Sequence, residues 1–308
     1  MKLTIVVPAY NESEGLRDFH ARLAAVLDGL DLVTEVLYVD DGSRDDTYAI
    51  LCALRAQDTR VSTLKLARNF GKELALTAGL DHVDADAAIV IDADLQDPPE
   101  LIPTFVQHWR EGCDMVYGTR ASRAGETGFK KMTAAAFYRV MERLSPTPIP
   151  RDTGDFRLLS RRALDALKQV RERQRFMKGL FTWVGYRQLS VVYHRDPRHA
   201  GQTKWNYWKL WNFAIEGITS FSTAPLKAAT YFGVLTAFAA FVFGLWVLAK
   251  ALLLGDPVRG YPTLMVVILF LGGVQLMALG VIGEYLGRLY VESKQRPLYL
   301  IDEYHPAR

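Results

Sequence analysis

The segment IVIDADLQDPPE (residues 89–100) carries four acidic side chains directly behind an apolar run. Asp92, Asp94 and Asp97 fall within six positions, and Glu100 follows a Pro-Pro pair. Carboxylates this close repel each other unless something positive sits between them. Asp92-x-Asp94 at the end of a strand sends both carboxylates to one side, because side chains two apart share a face. Two hard oxygen donors suit Mg²⁺ or Mn²⁺, ions usually held by one or two carboxylates plus substrate phosphates. The chemistry expected is neutralisation of the charge that builds on a diphosphate leaving group. The plain alternative is a solvated acidic turn in which Asp97 caps a helix before Pro98. A second acidic pair, Asp40 and Asp41, ends another apolar run and favours the metal.

These acids need elements that bring them together. Leu3 to Val7 is a short β-branched run ending at Pro8, and it reads as a buried strand. Asn11 and Glu14 have the spacing of a capping box for a following helix. Leu16, Phe19, Leu23 and Leu27 give that helix one apolar stripe. Further strands are expected at EVLYVDD, VSTLKLA, AAIVIDAD and DMVYGTR. Helices are expected at Tyr48 to Gln57 and over GKELALTAGLDHV. Strand and helix alternate, which predicts a mostly parallel sheet covered by helices. Ligands in such sheets sit at the carboxyl ends of the strands. Residues 8–12, 40–43, 68–72, 92–97 and 118–120 all fall at those ends. No Gly-x-Gly-x-x-Gly or P-loop pattern occurs, so a dinucleotide site of the usual kind and a Walker site are disfavoured.

The chain has 308 residues and a formal net charge of +3. Its charges are unevenly spread. Ala228 to Ala249 and Tyr261 to Gly283 contain none. Each exceeds the roughly 20 residues a helix needs to cross a bilayer. Both are apolar on every face, which argues against ordinary core helices. Lys204, Lys209 and Lys227 precede the first span, and Arg288, Lys294 and Arg296 follow the second. The positive-inside rule then places the large N-terminal part and both termini in the cytosol. The apolar run at MKLTIVVPAY is too short for a signal peptide. Cys52 and Cys113 lack metal-type spacing and read as packing residues of a reduced compartment. Two stretches read as amphipathic segments in the membrane interface, Arg171 to Tyr186 and TKWNYWKLWNF (203–213). The expected division is 1–165 catalytic core, 166–227 acceptor-side and interface helices, 228–286 two spans and 287–308 a cytosolic tail.

VVPAYNE (6–12), VDDGSRDDT (39–47), RNFGKELALTAGL (68–80) and DADLQDPPE (92–100), in that order, resemble the family 2 glycosyltransferases with the GT-A fold. GDFRLLSR (154–161), RFMKGLFTWVGY (175–186), RHAGQTKW (198–205) and GEYLGRLYVESKQRPLY (283–299) resemble the narrower polyprenyl-phosphate group. That group includes dolichol-phosphate mannosyltransferases and two-span bactoprenol glucosyltransferases. The resemblance implies that Pro8, Tyr10, Glu12 and Asp41 hold the nucleoside, with Asp40 near it. It places Asp92, Ala93, Asp94 and Gln96 around the metal and diphosphate. Lys72 is either near the donor or a solvated helix-face lysine. Asp155 matches the family's candidate base; it could instead orient the sugar or pair with Arg157. A nucleotide sugar, UDP-glucose ahead of GDP-mannose, is the expected donor, and inversion the expected outcome. A homo-oligomer, up to a tetramer, is expected by analogy, and no nucleic-acid partner is.

The acceptor should carry negative charge and a long apolar tail. Arg120, Arg123, Lys130 and Lys131 surround a Gly-containing loop, and Arg198 and Lys204 stand just ahead of the first span. Arginine can bind phosphate bidentately. Arg120, Arg198 and Lys204 also match family motifs. Arg123, Lys130 and Lys131 serve equally well against lipid headgroups. A phosphate monoester has a second pKa near 6, so this nucleophile needs no base at neutral pH. Two other readings are weaker. A processive polysaccharide synthase usually has a Gln-x-x-Arg-Trp motif and more spans. A non-enzymatic membrane scaffold would not be expected to keep Asp92, Asp94 and Gln96 intact.

Overall fold

The computed structural model of the protein describes residues 1–121, 153–173, 175–193, 224–254 and 260–308. The chain opens with β1 (Lys2–Ala9), whose β-branched run is buried on both faces, as a central parallel strand requires. Helix α1 (Leu16–Asp28) buries Leu16, Phe19, Leu23 and Leu27, the expected stripe. Its start differs from expectation. Gly15 stands at the cap position with no side-chain cap. Asn11 lies outside the helix at φ 54, a left-handed conformation that asparagine tolerates. Alternation continues through β2 (Val33–Asp40), α2 (Thr47–Gln57), β3 (Val61–Leu66), α3 (Lys72–Asp81), β4 (Ala87–Val90), α4 (Ile102–Arg110) and β5 (Met115–Arg120).

Next come β6 (Thr153–Ser160), α5 (Arg161–Gln169), α6 (Met177–Trp183) and β7 (Gln188–Tyr193). The eight-stranded sheet has the order β7-β5-β6-β4-β1-β2-β3-β8, with β8 at Ile301–His305. β1 pairs in parallel with β2 and β4, and β2 with β3. Strand β6 enters between β4 and β5, antiparallel to both. This reversal matters for the site. It brings the first residues of β6, Thr153 to Asp155, to the carboxyl ends of β4 and β5. Helix α3 lies close on the sheet because Gly79 has no Cβ; one would sit 2.4 Å from Val6 Cγ1.

Two expectations change here. Segment 171–186 does not present its apolar residues to a membrane. Phe176, Met177, Leu180 and Phe181 are buried, and Phe181 packs beneath the Arg157 guanidinium of β6 at 3.8 Å. Only Trp183 of that set stays open, at 61% exposure. The hydrophobic effect spends this stripe on the domain core. The sheet also crosses the expected boundary at residue 165, since β7 pairs with β5. The second expected interface segment, residues 203–213, lies outside the described residues.

The described chain forms two compact units. One takes in the residues up to Tyr193 together with 296–308, and the other holds two long helices. These are α7 (Ala224–Leu254) and α8 (Tyr261–Ser293), which pack against each other. They contain candidate spans at Leu226–Trp246 and Val266–Ser293, of 21 and 28 residues. At 1.5 Å per residue either is long enough for the ~30 Å hydrocarbon layer. Large apolar side chains such as Phe238, Phe241, Leu276 and Met277 stand fully in the open on them, as lipid-facing residues would.

The last residues are no free tail. β8 pairs antiparallel with β3, with Leu64 opposite Tyr304. Lys65 meets Asp302 at 2.8 Å, the Tyr48 hydroxyl donates to Glu303 at 2.9 Å, and the Ala307 amide donates to Ser62 Oγ at 2.8 Å. Tyr299 also donates to Asp81, at 2.9 Å. β8 thus covers a sheet edge that would otherwise show unpaired backbone groups. Ending the chain after Leu300 should lower the midpoint of thermal unfolding of the detergent-solubilised protein by about 4–8 °C, on a loss of about 2 kcal/mol. Differential scanning fluorimetry checks this, with aggregation at the bared edge as the second readout.

Candidate active site

The first part of the site is two loops stitched together at the carboxyl ends of β1 and β2. Pro8 and Ala9 lie opposite Val39 and Asp40, and the Asp41 amide donates to Ala9 O at 2.9 Å. The Asn11 amide donates to Ser43 Oγ at 3.1 Å, and the Arg44 amide donates back to Asn11 Oδ1 at 2.9 Å. The Glu12 amide donates to Thr47 Oγ1 at 2.9 Å. Tyr10 and Glu12 are left half-buried on this rim. The Asp41 carboxylate accepts from the amides of Phe70 and Gly71, at 2.7 and 2.9 Å. Asp40 accepts from the Ser43 amide at 3.2 Å. Burial pushes both carboxyls up, against these hydrogen bonds. The two acids therefore hold the loop backbone in shape. Gly42, at φ +66, is required between them, since a Cβ there would lie 2.5 Å from the Arg68 carbonyl carbon.

The second part is charged. β4 ends at Val90, so Asp92 and Asp94 lie beyond the strand. The chain turns at once, with Leu95 at φ 58 and the Gln96 amide donating to Asp94 Oδ1 at 3.1 Å. Side-chain alternation along a strand therefore does not govern this pair. The cation beside Asp92 is Lys72, at the first position of α3. Its ammonium donates to Asp92 Oδ2 at 2.7 Å and to Asp155 Oδ2 at 2.5 Å. This decides between the readings of Lys72: it belongs to the acidic cluster, although its side chain keeps 43% exposure. It also decides the partner of Asp155. Arg157 turns its guanidinium to the carbonyl of Gly154, at 2.9 Å, and the Asp155 carboxylate goes to Lys72. Burial alone would raise the Asp155 pKa, but Lys72 and then Lys178 outweigh it and hold the carboxyl well below its usual range.

Asp92 Oδ1 and Asp155 Oδ1 are buried without a hydrogen-bond partner among the described residues. Unbonded buried carboxylate oxygens are costly unless a ligand meets them. Among the described residues no three acids, histidines or cysteines already stand together as a ligand set. Unpaired carboxylate oxygens of this kind are the donors a hard divalent cation takes, so the chemistry of the cluster fits one.

The third part lies at the ends of β5 and β7. Arg120 ends β5 opposite Tyr193 of β7, and its guanidinium lies electrostatically close to Tyr193, Asp97 and Asp92. Asp97 does not cap a helix. It is 1% exposed, and its carboxylate accepts from the Tyr193 hydroxyl. Glu100 does sit at the surface, paired with Arg22 at 2.6 Å. Four side chains of this site were missed in the sequence: Glu73, Asp97, Lys178 and Tyr193. Glu73 and Lys178 stand inside quoted motifs, so their positions were visible and their direction was not. Arg123, Arg198 and Lys204 lie outside the described residues.

A mostly parallel sheet whose strand ends gather two stitched loops, a carboxylate pair and an arginine has the architecture of a GT-A glycosyltransferase. The comparisons make this definite: residues 4–168 match glycosyl transferase family 2, and the chain belongs to that family. Residues 224–289 match the GtrB C-terminal hairpin. The chain is 54% identical to the uncharacterized glycosyltransferase sll0501 of Synechocystis, over 98% of this chain and 95% of that one. It is 48% identical to the bactoprenol glucosyl transferase of Shigella phage SfV, over 98% of both. Among solved structures, the mannosyl-3-phosphoglycerate synthase of Rubrobacter xylanophilus shares the fold with a TM-score of 0.50 and 16% identity, covering 71% of this chain and 72% of that one.

Glu73 follows Lys72 on α3 and accepts from the Met177 amide at 3.3 Å. Burial first, and then the Asp155 charge, push its carboxyl up to about 7. Between pH 4.5 and 7 the unfolded chain releases this proton and the folded chain keeps it. Stability from this group is therefore complete below about 4.5 and falls as pH rises to 7. Glu73→Gln should remove that slope. The unfolding midpoint of the variant minus that of the parent should rise across this window and level off above it.

Proposed function

We propose that the protein transfers one sugar from a nucleotide sugar to a polyprenyl phosphate at the cytosolic face of the membrane, with UDP-glucose as the favoured donor. The observation that carries this reading is the pairing of opposite charges on one rim. Asp92 and Asp155, bridged by Lys72, stand electrostatically close to the half-buried Arg120. The bactoprenol glucosyl transferases similar to this chain over nearly its full length support a lipid acceptor and glucose, and undecaprenyl phosphate is the form assigned here.

The nucleoside is assigned to the stitched loops, against Pro8, Tyr10 and Glu12, whose backbone Asp40 and Asp41 hold rigid. The diphosphate then lies over Asp92, Ala93 and Asp94. A divalent cation held by Asp92, Asp94 and Gln96 supplies charge neutralisation on the departing diphosphate when bound. The acceptor phosphate oxygen attacks the anomeric carbon from the side opposite the leaving oxygen. One C–O bond forms as the other breaks, the configuration inverts, and the nucleoside diphosphate departs. A phosphate dianion brings its own electron pair, so positioning and charge stabilisation are what the side chains contribute. Asp155, held ionised by Lys72, serves to orient the sugar rather than to take a proton. Arg120, with Arg123, Arg198 and Lys204, is assigned to the acceptor phosphate.

Chain connectivity supports a topology with both ends of the helical pair on one side. β8, which comes after the second candidate span, is part of the same sheet as β1. Lys294 and Arg296 follow the second candidate span, and Lys227 and Arg288 stand near the ends of the two spans on that side, which supports a cytosolic assignment.

Incubating the purified protein with Mg²⁺, a polyprenyl phosphate and a panel of radiolabelled sugar nucleotides should yield one labelled lipid, from UDP-glucose. If no donor labels the lipid, the reading is wrong. Asp94→Ala should lower kcat about 100-fold or more while leaving the unfolding midpoint in place. Full activity in that variant would remove Asp94 from the cation site.

A further inference from the structure

Arg120 is held from several directions. It ends β5, where it lies opposite Tyr193 at the end of the parallel strand β7. The Ala121 amide donates to Tyr193 O at 2.8 Å, which fixes the two strand ends together. The Tyr193 hydroxyl donates to Asp97 Oδ1, and the Arg120 guanidinium lies electrostatically close to the phenol. Asp97 also lies electrostatically close to the guanidinium. Asp97 therefore supplies counter-charge to the guanidinium, and the Tyr193 hydroxyl holds that carboxylate in place.

Two glycines make room for this arrangement, and neither has a positive φ. A Cβ on Gly118 would lie 2.7 Å from Tyr193 Cε1, inside the ring's own space. A Cβ on Gly154 would lie 3.3 Å from Arg120 Nη2 and 3.6 Å from Asp97 Oδ2. Gly154 therefore lies beside both the guanidinium and the carboxylate, in space a side chain would take. Phe156 holds the Tyr193 ring edge-on, with centroids 6.4 Å apart. With one side of the guanidinium engaged in this way, Arg120 Nε remains buried and has no hydrogen-bond partner among the described residues. A buried N–H of a charged group left unpaired is costly. It is also the donor that a phosphate oxygen would take, since arginine recognises phosphate through paired N–H groups.

We propose that Asp97 and Tyr193 are positioning residues that aim the Arg120 guanidinium at the acceptor phosphate, in space provided by Gly118 and Gly154. This rests on the transfer reading above. Asp97 leaves the acidic set around the donor and becomes the counter-charge of the acceptor-side arginine. The loop DADLQD then serves two substrates, with its first acids facing the donor and its last facing away beneath the acceptor.

The test uses the full-length, detergent-solubilised protein and a short-chain polyprenyl phosphate. Tyr193→Phe should raise KM for that lipid about tenfold, with kcat and KM for the sugar nucleotide changed less than about twofold. Asp97→Asn keeps an oxygen that accepts from Tyr193, so its KM should rise less than that of Asp97→Ala. Tyr193→Phe combined with Arg120→Lys should be no worse than Arg120→Lys alone, because the phenol acts through the arginine. An unchanged lipid KM in Tyr193→Phe, an equal loss toward both substrates, or additive effects in the double variant would each overturn the proposal. If the parent protein makes no lipid product at all, the transfer reading fails separately. The clamp is then judged by thermal unfolding of the same variants. Non-additive shifts support the contact, and additive shifts refute it.

Discussion

An ammonium group standing between two carboxylates from distant segments of the chain is the contact on which the rest of the site depends. Lys72 comes from the start of α3, Asp92 from the loop after β4 and Asp155 from the start of β6. Taking ions out of water costs several kcal/mol each, and removing one partner leaves the others uncompensated. Three separate pieces of chain are therefore committed to one geometry. α3 must lie close on the sheet, which Gly79 permits, and β6 must run against β4 so that its first residues reach the same rim. With β6 parallel instead, Asp155 would open onto the opposite edge of the sheet. The antiparallel insertion is thus a condition of the charge cluster.

The same economy governs the loops at the ends of β1 and β2. Asp40 and Asp41 follow an apolar strand and invite a reading as ligands. Their oxygens are occupied by amides of the neighbouring turns. They act one step behind the rim, by making two loops rigid enough to present Tyr10 and Glu12. Gly42 is the backbone counterpart of that rigidity, since the Arg68–Asn69 backbone passes through the space its side chain would need.

Much of this was legible in the sequence, for identifiable reasons. The first five strands and the α1 stripe were readable because hydrophobic period and length coincide there. The convergence of motifs on one rim followed from the parallel-sheet rule. What was not legible depends on partners distant in the chain. β6 was quoted as a motif and not as a strand, because all eight of its residues are buried and the alternation that marks a half-exposed strand is absent. The stripe at Phe176, Met177, Leu180 and Phe181 has the same pattern whether it meets lipid or protein, and only the position of β6 decides. Asp97 looked like a solvated cap since its partner, Tyr193, lies 96 positions away. The strand-alternation argument for Asp92 and Asp94 failed because β4 stops two residues early.

The closing strand has a bearing on how the protein is made. Ser62 and Ala307, bonded across β3 and β8, are 245 positions apart. At a synthesis rate of roughly 5–20 residues per second, the ribosome needs on the order of 10–50 s to supply the partner of β3. During that interval the nascent sheet carries an open edge, and both long apolar helices emerge before anything can cover it. Long-range pairings of this kind are slow to form and leave chains prone to aggregation. Completion of the sheet is thereby made conditional on the helical hairpin having been synthesised first. A chain that stalls before its last few residues would keep every catalytic side chain named above and still lack a finished fold.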